Sequence, residues 1–240
     1  MSVEIYSATY QLNFTQCYSN GLLKYSELSN LLQLTAAEHA EIMGFGYKTM
    51  VHNNQAWVLS RVRIEIAELP KFLQEITIHT WIEDFMGNRS IRNFEVFVQG
   101  KKIVGATTFW AVFNTKERKS ENLAMIVDPR LTLPNKKATQ QPFRRIDQQE
   151  NYEQQAPYTI RLSDLDIVQH ANNVKYTDWC LDNLAVEQVL KKTFTALDIN
   201  YIKELNLGQE VIIAHSYTSE KIHFKIGKND KTVFLMEVEL

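Results

Sequence analysis

Apolar residues along this chain change their period several times, and each change marks an element. Tyr6, Tyr10, Leu12 and Phe14 share one side of an approximate alternation, which predicts a strand over residues 6–16. Cys17 to Gly21 reads as a turn. From about Leu22 the spacing becomes helical, with Leu28, Leu31, Leu32, Ala36, Ile42 and Met43 as an apolar stripe and Gly44 and Gly46 as stop signals. Val62, Ile64 and Ile66 then alternate with Arg61, Arg63 and Glu65, predicting a strand from Trp57 to Ile66. Pro70 marks a turn, and three further strands follow at 76–82, 90–98 and 103–113. Gln99-Gly100-Lys101 forms a hairpin signal between the last two.

Residues 115–157 break this pattern. Apolar periodicity vanishes, and Pro129, Pro134, Pro142 and Pro157 fall here with three pairs of glutamines. The segment reads as a long, partly extended connection that crosses the molecule. Periodicity then resumes in the same order: a strand at 158–162, a turn at 163–171, a helix at 172–184 and a short helix at 186–192. Four strands follow, at 197–203, 210–217, 222–226 and 232–238. The halves share faint identity. Lys24-Tyr25-Ser26-Glu27 matches Lys175-Tyr176-Thr177-Asp178 at an offset of 151 (175 − 24), and Gln74-Glu75-Ile76 matches Gln209-Glu210-Val211 at 135 (209 − 74). The chain is therefore expected to be an α+β protein made of a duplicated unit, a helix across an antiparallel sheet. The expected units are 1–119 and 158–240, joined by a connection at 120–157, with their sheets able to meet edge to edge.

Composition narrows the function. A 45% hydrophobic and 22% charged chain supports a packed core, and a net charge of −2 argues against a general nucleic-acid binder. No apolar run approaches the ~20 residues that span a bilayer, and the N-terminus lacks a signal-peptide layout. Cys17 and Cys180 make no disulfide framework, so a reduced cytoplasmic location is expected. No ligand spacing suggests a metal and no glycine-rich loop a nucleotide, so no cofactor is expected.

Chemistry concentrates between Ser163 and Leu184. Two carboxylates, Asp164 and Asp166, precede His170 and the pair Asn172-Asn173. Either asparagine is a natural cap for the helix that follows, whose Tyr176, Cys180 and Leu184 share a face. An acid, an imidazole and the unpaired N–H groups of a helix N-terminus thus fall within a short stretch, a place suited to stabilising charge on a carbonyl oxygen. At the offset of 151, Asp166, Val168 and His170 fall on Thr15, Cys17 and Ser19. One half is then expected to carry the chemistry and the other to shape a pocket.

The run Asp164-Leu-Asp166-Ile-Val168-Gln-His170-Ala-Asn172-Asn173-Val-Lys-Tyr176 resembles the signature of the acyl-acyl-carrier-protein (acyl-ACP) thioesterases of plants and bacteria. The likeness extends to Trp57-Val-Leu-Ser-Arg61, Thr80-Trp81, Arg92-Asn-Phe94, Trp110 and Arg118-Lys119, nearly the whole chain. It implies a double hot-dog fold and cleavage of the thioester between a fatty acyl chain and the phosphopantetheine arm of acyl carrier protein. It also implies catalytic roles for Asp166, His170 and Glu204. Val168 stands where the family has a catalytic asparagine, and valine neither donates nor accepts a hydrogen bond. Leu205 stands where plant members have cysteine.

The expected reaction has the helix end at Asn172 and Asn173 as oxyanion hole, Glu204 and His170 activating water, and Asp166 orienting His170 or the helix-end amides. Direct attack by a carboxylate is the second possibility. Leu28, Leu31, Leu32, Met43, Trp57 and Leu59 are the candidates for an acyl pocket. Acyl carrier protein is the expected partner, met by basic residues at 101–102, 118–119, 136–137, 144–145 and 175, with neither nucleic acid nor membrane bound. The protein is expected as a monomer or homodimer. An acyl-CoA thioesterase, a hot-dog hydratase and a non-catalytic acyl-thioester binder remain as alternatives.

Overall fold

The computed structural model describes residues 5–125, 127–148, 151–191 and 194–240. The first half runs β1 (Tyr6–Gln11), α1 (Tyr25–Ile42), α2 (Tyr47–His52), β2 (Gln55–Ile66), β3 (Glu75–Met86), β4 (Arg89–Val98), β5 (Lys101–Asn114) and the short β6 (Lys119–Ser120). The second runs β7 (Gln154–Thr159), α3 (Asn173–Leu181), α4 (Val186–Leu190), β8 (Ala196–Tyr201), β9 (Glu210–Tyr217), β10 (Lys221–Lys228) and β11 (Lys231–Glu239). The expected end of the second short helix, at Lys192, lies outside the described residues.

All strands join one 11-stranded sheet in the order β1-β3-β4-β5-β2-β8-β11-β10-β9-β7, with β6 on β5. The order is the same read from either end. The halves meet where β2 pairs antiparallel with β8, Arg63 directly opposite Asp198. Inward side chains of the alternating strands form one apolar core with α1 and α3, including Ile64, Phe94 and Val104 from one half and Ile199, Phe224 and Phe234 from the other. A second cluster forms under α2 from Phe45, Met50, Ile82 and Val112, with Met43, Trp57 and Phe85 against it.

The connection crosses the outer face of the sheet and supplies what those strands lack in partners. Trp81 Nε1 donates to Lys136 O at 2.9 Å, Ala138 N to Asn93 Oδ1 at 2.9 Å, and Ile146 N to Asn200 Oδ1 at 3.0 Å. Gln140 N and Gln141 N both donate to the Glu65 carboxylate. At Gly105 a Cβ would lie 2.2 Å from Ala138 O, so the close approach needs glycine there.

Several boundaries differ from the pattern-based expectation, each for a local reason. The first strand ends at Gln11 because Asn13 starts a 3-10 turn, its Oδ1 taking Thr15 N at 3.0 Å; Phe14 is left exposed. Helix α2 follows Gly46 in a run, Tyr47-Lys-Thr-Met-Val-His, too short to show a sustained helical stripe, and only Met50 of it is buried. Strand β7 starts inside the proline-rich stretch; as the sheet's edge it tolerates Pro157. The largest correction concerns the repeat. The two 3-10 turns, at Phe14 and Leu162, are 148 apart (162 − 14). The bridges Cys17–Leu23 and Leu165–Ala171 repeat the same offset. Asp166, Val168 and His170 therefore correspond to Tyr18, Asn20 and Leu22, not to Thr15, Cys17 and Ser19.

Candidate active site

The loop before α3 is folded by its own carboxylates. Buried Asp164 accepts from Tyr158 OH at 2.8 Å and from Arg161 N at 2.7 Å, and its carbonyl takes Asn172 N at 2.8 Å, joining β7, the turn and the helix start. Asp166 Oδ1 accepts from Val168 N at 3.0 Å and His170 N at 3.1 Å. Gln169 between them adopts φ 67°. Asp166 thus shapes the backbone of the loop and is not bonded to the imidazole. Its expected role is narrowed accordingly.

His170 meets Glu204 across a short gap. Its Nδ1 lies 3.5 Å from Glu204 Oε1, a loose separation of the kind that tightens when substrate binds. A carboxylate on that side assigns the ring proton to Nδ1 and leaves the Nε2 lone pair for a reactant. Glu204 follows β8, and the loop is tied to it by Ala171 N donating to Leu205 O at 2.8 Å. Leu205 is fully buried and serves packing. The other Glu204 oxygen, Oε2, accepts from Arg118 Nη2 at 2.7 Å. Arg118 belongs to the first half and was expected to meet acyl carrier protein, not to reach the catalytic pair. Its signal was present in the sequence, a basic residue closing the turn after a long strand, but no pattern indicates which way such a residue reaches.

Helix α3 starts beside this pair. Asn172 is the N-cap, its Oδ1 accepting from Val174 N at 3.2 Å, and Lys175 N bonds Asn172 O. Among the described residues no acceptor faces the Asn173 N–H, the first-turn donor left for a ligand. The Asn173 side chain donates to Gln33 Oε1 at 3.4 Å, and Tyr201 OH donates to Asn173 O at 3.2 Å. These contacts lead from the helix end into a crevice of about 10 Å³ lined by Leu32, Leu59, Val62, Ile64, Phe94 and Trp110, with Ser29, Gln33, Thr108 and Tyr201. Leu32 and Leu59 line it. Leu28 and Leu31 are buried in the main core without lining it, whereas Met43 and Trp57 lie in the cluster under α2. A second residue to which the expectation gave no role is Arg92. It precedes Phe94 on the inward side of β4, faces Thr108 across the ladder, and bonds His39 Nδ1 at 2.7 Å and Thr80 Oγ1 at 3.2 Å. Burial pushes its guanidinium down to about 10. A charged residue on the apolar side of a strand is the signal that would have found it.

A larger groove, about 620 Å³, lies on the outer face between Arg63, Glu65, Lys102, Gln140 and Glu239. It is across the sheet from His170 and has no part in this chemistry. The basic residues of that face are also engaged: Lys102 and Lys136 with Glu95, and Arg144 with Glu237.

The first half holds a filled counterpart of the site. Tyr18 and Leu22 replace the acid and the histidine, and Leu69, 135 before Glu204, replaces the carboxylate (204 − 69). Asn20 Nδ2 donates to Leu190 O at 2.9 Å, and Tyr25 OH accepts from Phe194 N at 3.1 Å. The stretch around α4 occupies that space.

Comparisons with known proteins identify the family. Residues 3–127 match the acyl-ACP thioesterase N-terminal domain, and residues 147–236 match its C-terminal domain. The chain belongs to the acyl-ACP thioesterase family. An acyl-ACP thioesterase from Bacteroides thetaiotaomicron superposes with a TM-score of 0.89, at 27% identity, over 98% of this chain and 97% of that one. The 12:0-ACP thioesterase of Umbellularia californica superposes at 0.78 with 18% identity, over 98% of this chain and 96% of that one, which shows the shared hot-dog fold. Among family members of known activity, the chloroplastic oleoyl-acyl carrier protein thioesterase of Coriandrum sativum is 27% identical over 86% of this chain. The first such enzyme of Arabidopsis thaliana is 28% identical over 84%. This chain spans 61% of the length of each of those two plant family members.

Proposed function

We propose that this acyl-ACP thioesterase family member hydrolyses the thioester of acyl-ACP and releases the free fatty acid. The observation that carries the proposal is the pairing of Glu204 with His170 in the loop that opens α3, a helix whose first residue, Asn173, bonds Gln33 and Tyr201 of an apolar crevice. The thioester carbonyl oxygen accepts the Asn173 N–H, where the helix dipole favours developing negative charge. His170 Nε2 takes a proton from water as the water oxygen attacks the carbonyl carbon. Ionised Glu204 stabilises the imidazolium from the Nδ1 side. Collapse of the tetrahedral intermediate breaks the C–S bond, and the imidazolium proton goes to the departing thiolate. Water attack is favoured over carboxylate attack because both Glu204 oxygens are engaged, one by Arg118 and one by the imidazole. The acyl tail enters the crevice past Gln33 and Tyr201, displacing side chains such as Leu32 and Trp110 as it goes. The cytoplasmic location and the monomer or homodimer state expected from the sequence belong to the same proposal.

Thiol release from acyl-ACP substrates from C8 to C18 tests the reading. Wild type is expected to turn over, and His170→Ala to lower kcat/KM by about 10²–10⁴. Competition with the matching acyl-CoA distinguishes the carriers. Binding of acyl-ACP with no thiol released from any substrate would sink the hydrolase reading.

A further inference from the structure

One charged side chain beside the pair touches no reacting atom in the reaction as drawn. Arg118 reaches from the first half to Glu204 of the second. The turn that delivers it is tightly built. Asn114 Oδ1 accepts from Lys116 N at 2.9 Å and Glu117 N at 2.8 Å, and Arg118 N returns to Asn114 O at 2.9 Å. Arg118 itself is held at φ 56°, a left-handed conformation unfavourable for a long L side chain. Its guanidinium lies 5.2 Å from the centroid of the Phe113 ring, a cation–π contact that restricts its rotamers.

We propose that Arg118 is a positioning residue for hydrolysis, acting through Glu204. The proposal rests on the hydrolase reading. Glu204 is 35% exposed on a loop, so without an anchor its carboxylate would sample several rotamers in water. Arg118 fixes one oxygen and thereby turns the other toward His170 Nδ1. The first half thus supplies part of the catalytic alignment as well as the crevice. The competing role for an exposed arginine at this mouth is electrostatic attraction of an acidic carrier protein, which acts on encounter and KM.

The test compares wild type, Arg118→Gln, Arg118→Lys, Glu204→Gln and the Arg118→Gln/Glu204→Gln double variant. Each is assayed on one acyl-ACP and on the acyl-pantetheine of the same chain, which lacks the protein. Arg118→Gln is expected to lower kcat about tenfold or more on both substrates, with KM within about threefold, because the loss falls on the chemical step. Arg118→Lys restores part of the rate. In the Glu204→Gln background, Arg118→Gln adds less than about a twofold loss, because the two act as a unit. Unchanged kcat with KM raised only on acyl-ACP would assign Arg118 to docking and overturn the proposal. Losses that multiply in the double variant would overturn it too. Wild-type turnover with an unimpaired Arg118→Gln removes the positioning role alone. A wild type inactive on both substrates removes the hydrolase reading and this one with it.

Discussion

Val168 stands where the family resemblance implies an asparagine, and the loop around it is held by other groups. The repeat supplies an internal control. Asn20, the equivalent position in the first half, accepts from Leu22 N at 3.0 Å. The matching donor in the second half is His170 N, and it goes to Asp166 Oδ1. Asp166 therefore does for this loop what an asparagine side chain does for its counterpart, while the Val168 side chain is 51% exposed. Val168→Asn is expected to change kcat on acyl-ACP by less than about threefold, since restoring a lost catalytic donor would instead raise it by about 10²–10³. Steady-state rates of the purified variant distinguish these outcomes. The acid, the imidazole and the glutamate were legible as residue types in the sequence. Which atoms they face was not, because Asp166 turns its carboxylate onto its own backbone.

Elements were legible to the extent that their pattern was regular. The alternating strands and the two long helices appear close to where their periodicity predicts. The register of the repeat was misread because a four-residue match at 24–27 and 175–178, only two of them identical, is weaker evidence than paired turns and bridges, which only the fold displays. Helix α2 and the crevice depend on contacts between distant segments and have no local signature. The contact of β4 with α1 yields a prediction about substrate choice. Phe94 and Thr108 line the crevice, and the next inward side chain on β4, opposite Thr108, is Arg92. Its folded-state value, about 10, lies below the ordinary value for arginine. The native chain then binds that proton less tightly than the unfolded chain. The charge costs stability below about pH 10, and the cost fades as pH rises toward the unfolded value. Arg92→Met, apolar and of similar length, is expected to leave the midpoint of urea unfolding unchanged or raised and to shift the preferred acyl chain toward greater length. A lowered midpoint with an unchanged chain-length profile would show that Arg92 supports the core and does not bound the crevice.

At the scale of the whole molecule, the duplication solves a problem of symmetry. With the strand offset of 135, Arg63 and Asp198 are equivalent positions (198 − 63) and lie opposite one another where β2 meets β8. Two identical units meeting this way would place arginine against arginine or aspartate against aspartate. One chain carrying both halves can place opposite charges there, and Arg63 Nη1 lies 2.8 Å from Asp198 Oδ2. Glu239 and Glu65 also bond Arg63, and Arg144 approaches Asp198 at 3.5 Å. Arg63 holds the Glu239 carboxyl below its ordinary range, whereas burial raises that of Asp198 despite its two arginines. Asp198 is thus the expensive member, and its partner is what makes it tolerable. Arg63→Met is expected to cost about 3–5 kcal/mol in urea unfolding, because it strands a buried carboxylate. Arg63→Met/Asp198→Met should cost less than Arg63→Met alone, since the second change removes the stranded charge. If the double variant is as unstable as the sum of the singles, the junction depends on packing around each side chain. If it recovers, the opposite charges at this axis are a feature that divergence of the two halves made possible, just as the same divergence left one site with His170 and filled the other.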